Sequence, residues 1–250
     1  MCLHSYCMLK PVMKVIQHLK SDWIHYGFES LAVVIGILAA FALDNWNENR
    51  HERTTEQLLL GNLKLEITAN QDRLDEAMRY HSKSRESAKR ILEIYGDVYP
   101  IKNYQEIDSL LALIQWAWTY DPSMGALNSI KMSGNLITVH NADLRAMIAD
   151  YEDRINDARE ENKIIQNLII NKYIPAVNQY ISLHQRVKYL GEEYIFEDSS
   201  FHPDYEGLFE DRTLEGIISY IYIWRIDEFK EEGQLKQMME EFISMLNKEH

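Results

Sequence analysis

The stretch that decides the fold is Leu31–Leu43, LAVVIGILAAFAL, an unbroken apolar run. A bilayer core takes about 20 residues of helix at ~1.5 Å rise per residue, so this run alone is too short to cross it. Aromatic residues mark both ends, because Trp23 precedes the run and Trp46 follows it. Such residues prefer the two membrane interfaces. We therefore predict that residues 23–46 form a transmembrane helix.

Two other interpretations of the apolar run stay open. Ala40-Phe41-Ala42 has the small-x-small form of a signal-peptidase site, so cleavage after Ala42 would make the segment a leader. That leader would be unusually long and would carry Asp22 and Glu29 ahead of its apolar centre. Alternatively, the run is the buried core helix of a soluble protein, although it lacks the polar stripe of an amphipathic helix. The spanning helix is favoured over both.

The lysine and arginine residues near the run indicate its direction. Three lysines precede the helix and two arginines follow it: Lys10, Lys14, Lys20, Arg50 and Arg53. Because the more basic flank stays in the cytoplasm, we expect a cytoplasmic tail at 1–22 and a large soluble domain, 47–250, on the other side.

The anchor also carries a pattern that favours helix pairing. Gly36 and Ala40 lie four residues apart, and two small residues at this spacing let the backbones of two helices approach closely. We therefore expect the bilayer as one partner of the chain, and a homo-oligomer or another protein as the second.

Composition excludes several classes of protein. The formal net charge of -13 would repel nucleic acid, so we expect no nucleic-acid partner. Cys2 and Cys7 are the two cysteines of the sequence, and both precede the apolar run, which excludes a disulfide framework for the soluble domain. The chain has only five prolines and ten glycines, which favours long helices over turn-rich β architectures.

The soluble domain has the periodicity of helices. Apolar residues recur at spacings of three and four after the anchor and predict one helix running to about Tyr95. Asn70 and His81 are polar residues on this stripe, which indicates specific bundle or coiled-coil packing. The fold class predicted is therefore all-α, an antiparallel bundle whose first helix is continuous with the transmembrane helix.

Capping residues and helix breakers predict the other helices. Asn103 and Asn141 each begin a helix, Asp121-Pro122 begins a short one that ends at Ser133-Gly134, and Pro175 kinks or ends the long helix. A loop follows at 191–211, and a last helix runs from Arg212 to about Asn247. It includes the strand-like run Ile217–Trp224, IISYIYIW, which as a helix would be apolar all round and central in the bundle.

No motif for catalysis or metal binding occurs in the sequence. The nine histidines are scattered without ligand spacing, and Glu231-Glu232 and Glu240-Glu241 are predicted to be exposed acids. We therefore expect no catalytic, cofactor-binding or metal-binding residues, and no enzyme. Trp116, Trp118 and Tyr120, with Arg145 nearby in space, are weak candidates for a pocket, since such aromatic clusters are more often core.

Two stretches resemble a known family. Glu29–Glu48, ESLAVVIGILAAFALDNWNE, is similar to the N-terminal signature of a bacterial family of uncharacterised membrane-anchored proteins, a domain of unknown function. Asp121–Asp150 resembles it more weakly, through Pro122, Leu127 and Asn141-Ala142-Asp143-Leu144-Arg145. The resemblance implies a single-pass anchor followed by a helical domain, with no established activity. With the direction expected from the flanking charges, the anchor would lie in the bacterial inner membrane and the large domain in the periplasm. The resemblance supplies no functional residues.

These features favour a membrane-anchored helical interaction or scaffold protein. The main alternative is an extracytoplasmic bundle that binds or senses a small molecule between its helices. An enzyme is a remote third.

Overall fold

The computed structural model describes residues 9–96, 103–132, 134–188 and 199–249. They form eight α-helices and no strand: α1 Leu9–Gly96, α2 Tyr104–Ile114, α3 Gly125–Met132, α4 Ala142–Leu168, α5 Ile174–Val177, α6 Leu183–Val187, α7 Tyr205–Glu210 and α8 Arg212–Leu246. A 3-10 turn, Asn135–Thr138, precedes α4, and a π turn, Ile169–Tyr173, joins α4 to α5. The all-α class is confirmed. The chain divides into two compact units between Thr55 and Glu56.

The first unit contains the apolar run of α1, and this run is not buried. All side chains from 25 to 51 are exposed. By length and composition, α1 is the one helix in the described chain that could cross a membrane. This exposure does not fit the core-helix interpretation, because none of the described residues covers the run. At its ends, His25 Nε2 lies 3.2 Å from Glu29 Oε1, and the Arg50 guanidinium lies 5.8 Å from the Trp46 ring centroid.

The second unit is a bundle built on three helices whose buried residues follow each other at alternating spacings of four and three. This is the spacing of helices that pack lengthwise with knobs in holes. The series are Glu56, Leu60, Leu63, Ile67, Asn70, Leu74, Ala77, His81, Ser84, Ala88 and Ile91 on α1, where Ser87 is buried in addition; Leu144, Ile148, Tyr151, Ile155, Ala158, Asn162 and Ile165 on α4; and Leu214, Ile218, Ile221, Arg225, Glu228, Glu232, Leu235, Met239, Phe242 and Leu246 on α8. We call each series a seam.

The seams bury two hydrophobic clusters. The first includes Leu63, Tyr151 and Phe242, and the second includes Ile91 and Ile218. Along α1 and α4 the seam passes from the first cluster to the second, whereas along α8 it passes from the second to the first. Helix α8 therefore runs antiparallel to α1 and α4, as the predicted antiparallel bundle requires, whereas α1 and α4 run parallel to each other. Between the clusters lie polar seam residues, which we call the central polar layer: His81, Asn162, Arg225, Glu228 and Glu232.

Most helix ends lie where the sequence predicts them. The predicted N-cap of α2 is confirmed, because Asn103 Oδ1 accepts the Glu106 N–H at 3.2 Å. α8 ends at Leu246, next to the predicted Asn247. Gly134 follows α3 in the left-handed region, φ 71°, where glycine is favoured. Ser133 lies outside the described residues.

The predicted start of α3 at Asp121-Pro122 is wrong. Residues 121–124 have no helical structure, and α3 begins at Gly125. The cause is a cap from another helix. Glu66 of α1 accepts the N–H groups of Ala126 and Leu127 at 2.7 and 3.0 Å, so a distant carboxylate replaces the local Asp-Pro cap.

Three later elements complete the comparison with the prediction. The long helix α4 ends at Leu168, where the π turn begins, and Pro175 lies in the first turn of α5, so Pro175 does not itself end the long helix. Of the predicted loop, 191–198 lies outside the described residues, and 205–210 is helical because Asp204 Oδ1 accepts the Gly207 N–H at 2.8 Å. The run Ile217–Trp224 is not buried all round, since Tyr220 and Ile223 point to solvent.

Candidate functional site

His81 forms the centre of the central polar layer. Its Nε2 lies 2.9 Å from the Trp118 carbonyl oxygen, and its Nδ1 lies 2.7 Å from Glu232 Oε1 and 3.5 Å from Glu228 Oε2. A carbonyl oxygen only accepts hydrogen bonds, so we assign the ring hydrogen to Nε2, which also lies 3.3 Å from Asn162 Nδ2. Nδ1 therefore faces two carboxylates, and this arrangement requires a proton or another cation between them.

Two side chains hold Glu228 in place. Arg225 Nη1 donates to Glu228 Oε2 at 2.5 Å, and Asn162 Nδ2 donates to Glu228 Oε1 at 2.8 Å. The same donors also reach backbone carbonyls, since Arg225 Nη2 lies 3.4 Å from Trp116 O and Asn162 Nδ2 lies 3.0 Å from Trp118 O. Both oxygens of Glu228 are thus occupied and its orientation is fixed.

Glu232 is less well satisfied than Glu228. It is 1% exposed, and its Oε2 has no hydrogen-bond partner among the described residues. Burial raises the pKa of Glu232 against the opposing hydrogen bond from His81.

A third carboxylate, Glu161, adds to the negative charge of this region. Its Oε2 is also buried without a partner in the described part of the chain. Burial raises the pKa of Glu161, and repulsion from other carboxylates, including Glu228, adds to the effect.

Helix geometry brings the ligand-type atoms together. Arg225, Glu228 and Glu232 lie at i, i+3 and i+7 of α8 and so share one face. His81 comes from α1, 151 residues before Glu232. His81, Glu228 and Glu232 each offer one ligand atom within 4.8 Å of the others, all of them buried. Among the described residues this set of one nitrogen and two oxygen donors could hold a metal ion.

The carbonyls of the site are positioned by aromatic packing. The Tyr80 ring of α1 stacks on the Trp118 ring with centroids 4.2 Å apart and lies 5.0 Å from the Trp116 ring. Both tryptophans belong to the non-helical residues that follow α2. The stacking holds these residues along α1, so that their carbonyls face the central polar layer.

Polar side chains of α1 hold the whole connection between α2 and α4 in the same way. Contacts nearer the N-terminus of α1 reach residues nearer the C-terminus of the connection, so the two segments run antiparallel. The contacts, which we call the α1 ladder, are Ser84 Oγ to Ile114 O at 3.3 Å, His81 to Trp118 O, Asn70 to the backbone N–H and C=O of Ser123 at 2.7 Å each, Glu66 to the N–H groups of Ala126 and Leu127, and Glu56 to the N–H of His140 at 2.7 Å.

A second buried polar group surrounds Arg186, which has no exposed surface. Its Nη1 donates to Gln115 Oε1 at 2.6 Å and its Nη2 to Asn178 Oδ1 at 2.5 Å. Nearby, Asp108 accepts hydrogen bonds from Gln185 Nε2 at 2.8 Å and from the Tyr205 hydroxyl at 2.9 Å. We call these residues the Arg186 cluster. Burial lowers the pKa of Arg186 and raises the pKa of Asp108.

The weak pocket candidates lie in different places. Trp116 and Trp118 adjoin the central polar layer through their carbonyls. Tyr120 lies in the first hydrophobic cluster, and Arg145 donates to the carbonyls of Val139 and His140 near the start of α4. A pocket formed by all four stays a prediction.

The predicted anchor residues are exposed. Trp23 and Trp46 expose more than half of their surface, and a Cβ at Gly36 would meet no atom within 4 Å. Ala40 is exposed as well.

Sequence reasoning missed the acidic residues of the site. Glu232 was expected to be exposed, and this prediction is wrong, because Glu232 lies on the buried seam of α8. Glu240 and Glu241 are exposed as predicted. The available signal was the seam itself, because Arg225, Glu228 and Glu232 continue the spacing of Ile218 and Ile221.

Comparison with known proteins gives a family and no function. No curated protein matches the chain, and no solved structure matches it. One family model matches residues 29–201, a range that contains both stretches 29–48 and 121–150 and about two thirds of the chain. The chain therefore belongs to this family, which is described as a family of unknown function, DUF6090.

Proposed function

We propose that the protein is a membrane-anchored helical scaffold, with residues 23–46 spanning the bilayer. The observation that carries the proposal is the exposure of the whole apolar run of α1. Exposed apolar surface of this size marks a contact with a membrane or a protein. Covering each large side chain gains about 1.5–3 kcal/mol, and the aromatic residues Trp23 and Trp46 at the two ends suit a bilayer.

Extraction from membranes tests the anchor. We expect the full chain to remain in the membrane pellet after an alkaline carbonate wash. Ile35→Asp/Leu38→Asp places two carboxylates near the centre of the span, each at a cost of about 2.5–3.5 kcal/mol, and is expected to release the chain. The matched control is Leu58→Asp/Leu65→Asp, because Leu58 and Leu65 are also exposed on α1 but lie outside the run. Release of the unchanged chain by carbonate would refute the anchor.

The same preparation tests cleavage and direction. An intact mass that includes residues 1–42 excludes cleavage after Ala42. We propose an inner-membrane location with the N-terminus in the cytoplasm, supported by Lys10, Lys14 and Lys20. A C-terminal fusion to alkaline phosphatase, which is active only outside the cytoplasm, is expected to be active. An inactive phosphatase together with an active cytoplasmic reporter would reverse the direction.

For the scaffold role we propose that the anchor pairs with a second copy of the chain. Gly36 and Ala40 are exposed, small and one helical turn apart, which supports close packing of two helices. A photo-cross-linking residue at Val33 in native membranes is expected to give a dimer that Gly36→Leu abolishes. Gly27→Leu is the matched control, because a Cβ at Gly27 also meets no atom within 4 Å. Monomers alone in the unchanged chain would refute self-pairing.

A further inference from the structure

We propose that His81, Glu228 and Glu232 form a binding site for a divalent transition-metal ion of the Zn²⁺ type. The site goes beyond the scaffold role and depends on none of its evidence. His81 Nδ1 and one carboxylate oxygen from each glutamate lie within 4.8 Å of one another, in the interior of the bundle. Three protein ligands from two helices leave further coordination positions for water or a fourth group.

The histidine has the form that a metal ligand needs. Its Nε2 hydrogen is bonded to the Trp118 carbonyl at 2.9 Å. Metal-binding histidines characteristically donate their other ring N–H to a backbone carbonyl or a carboxylate, which fixes the tautomer and the ring orientation. With Nε2 protonated, the neutral imidazole directs the Nδ1 lone pair towards the carboxylates of Glu228 and Glu232, where a cation would lie.

The two glutamates divide the roles of a metal site. Arg225 and Asn162 orient Glu228 from outside the set of ligands, as outer-shell residues do. Glu232 keeps one buried oxygen, Oε2, that has no hydrogen-bond partner in the described chain. Buried carboxylate oxygens are normally satisfied, and a bound cation would satisfy this one.

Charge also favours a divalent ion. Glu228 and Glu232 are both buried, and the Arg225 guanidinium contacts the first of them, Glu228. The ion-pair partner of Glu232 is His81, which carries no charge in its neutral form. A metal ion bound between His81 and the two glutamates would supply that positive charge.

The donor atoms select the class of metal. One imidazole nitrogen with carboxylate oxygens suits Zn²⁺, Mn²⁺ or Fe²⁺, whereas Ca²⁺ takes six to eight oxygen ligands and Mg²⁺ prefers oxygen in octahedral geometry. Ca²⁺ and Mg²⁺ are therefore expected not to compete with Zn²⁺ at equal concentrations.

The test uses the full chain in detergent, purified with a tag that contains no histidine and stripped with a chelator. Zn²⁺ is then titrated, and bound metal is counted after desalting. We expect one equivalent per chain and an increase in melting temperature. Glu232→Gln keeps the shape of the side chain and is expected to weaken binding by more than the 10- to 100-fold that outer-shell changes cost. No bound equivalent in the unchanged chain would overturn the proposal.

Two further variants make the result specific to this site. His140→Gln is the matched control, because His140 Nδ1 lies 2.8 Å from Glu56 Oε2 in a pair that is half exposed and has one carboxylate. It is expected to keep the equivalent, and loss of the metal there would overturn the assignment. Asn162→Ala keeps all three ligands and loses the hydrogen bonds from Asn162 Nδ2 to Glu228 Oε1 and to the Trp118 carbonyl. It is expected to weaken Zn²⁺ binding about 10-fold even if Glu232→Gln fails to fold, and unchanged affinity would count against the site.

Discussion

Arg225 and Arg186 are both buried, yet different acceptors hold them. Arg225 is bonded to the carboxylate of Glu228, whereas the two Nη atoms of Arg186 are bonded to the neutral amide oxygens of Gln115 and Asn178. The acidic member of the Arg186 cluster, Asp108, accepts hydrogen bonds from Gln185 and Tyr205 instead. The first arginine compensates a buried charge, and the second ties loop and helix ends together. Removing them should therefore have different consequences, which the following experiments measure.

The largest effect is expected from Arg225→Met. It leaves Glu228 buried without its cation, and breaking a buried pair from one side costs about 3–5 kcal/mol. Urea unfolding of the full chain in detergent, with chelator present, measures the loss. Arg225→Met/Glu228→Leu removes both charges and is expected to recover most of it. A single variant within about 1 kcal/mol of the unchanged chain would show that Arg225 does not compensate Glu228.

A smaller loss is expected from Arg186→Met. Two amide oxygens lose their donors, but no carboxylate is left without its ion pair, so the cost is about 1–3 kcal/mol. The same unfolding assay measures it. If Arg186→Met costs as much as Arg225→Met, the identity of the acceptor does not decide the energy and the contrast between the two arginines fails.

Asp211 provides a reference at the surface. Its Oδ1 caps α8 by accepting the N–H groups of Thr213 and Leu214 at 2.8 and 3.2 Å, and Asp211→Ala is expected to cost about 1 kcal/mol. Partial burial pushes the pKa of Asp211 up, but these hydrogen bonds outweigh it and keep the pKa below its usual value. The stabilisation is therefore complete above about pH 4 and is lost as the pH falls further. A cost that does not change between pH 7 and pH 3 would contradict this origin.

The smallest effect concerns Asp108, whose burial raises its pKa. A raised pKa means that the folded chain binds the proton more tightly than the unfolded chain. The wild-type chain should therefore be most stable relative to Asp108→Asn below about pH 4 and should lose this advantage as the pH rises through the folded-state pKa. Unfolding measured from pH 3 to pH 7 gives the slope. A slope of opposite sign would show that hydrogen bonds from Gln185 and Tyr205 outweigh burial.

Much of the fold could be predicted because it depends on local patterns. The end of α1 near Tyr95, the cap at Asn103 and the end of α8 follow from periodicity and capping rules that involve neighbouring residues. The start of α3 could not be predicted in this way, since its cap, Glu66, lies about 60 residues earlier and on another helix. The helix α7 was missed because its six residues are too few to show a periodicity.

The candidate site was harder to predict for a related reason. Asn70 and His81 were recognised as polar residues on an apolar stripe, and both are buried. The role of each residue depends on its partners. The carboxylate partners of His81 lie on α8, where Glu232 is 151 residues further along the sequence. In the sequence of α8, an exposed acidic residue cannot be told from a buried one until the buried positions are followed along the helix at spacings of four and three. That count places Glu232 inside and leaves Glu240 outside.

The α1 ladder has a consequence for how α1 can move along its own axis. A helix with a heptad seam can slip by seven residues, about 10 Å, and still present an apolar face. The apolar seam residues would tolerate such a slip, but the polar contacts of the α1 ladder would not. A slip in either direction would place an apolar residue at four of the five polar positions of the α1 ladder, which are Glu56, Glu66, Asn70, His81 and Ser84. Because the contacts of the α1 ladder are unevenly spaced along the helix, they allow a single axial register of α1 in the bundle.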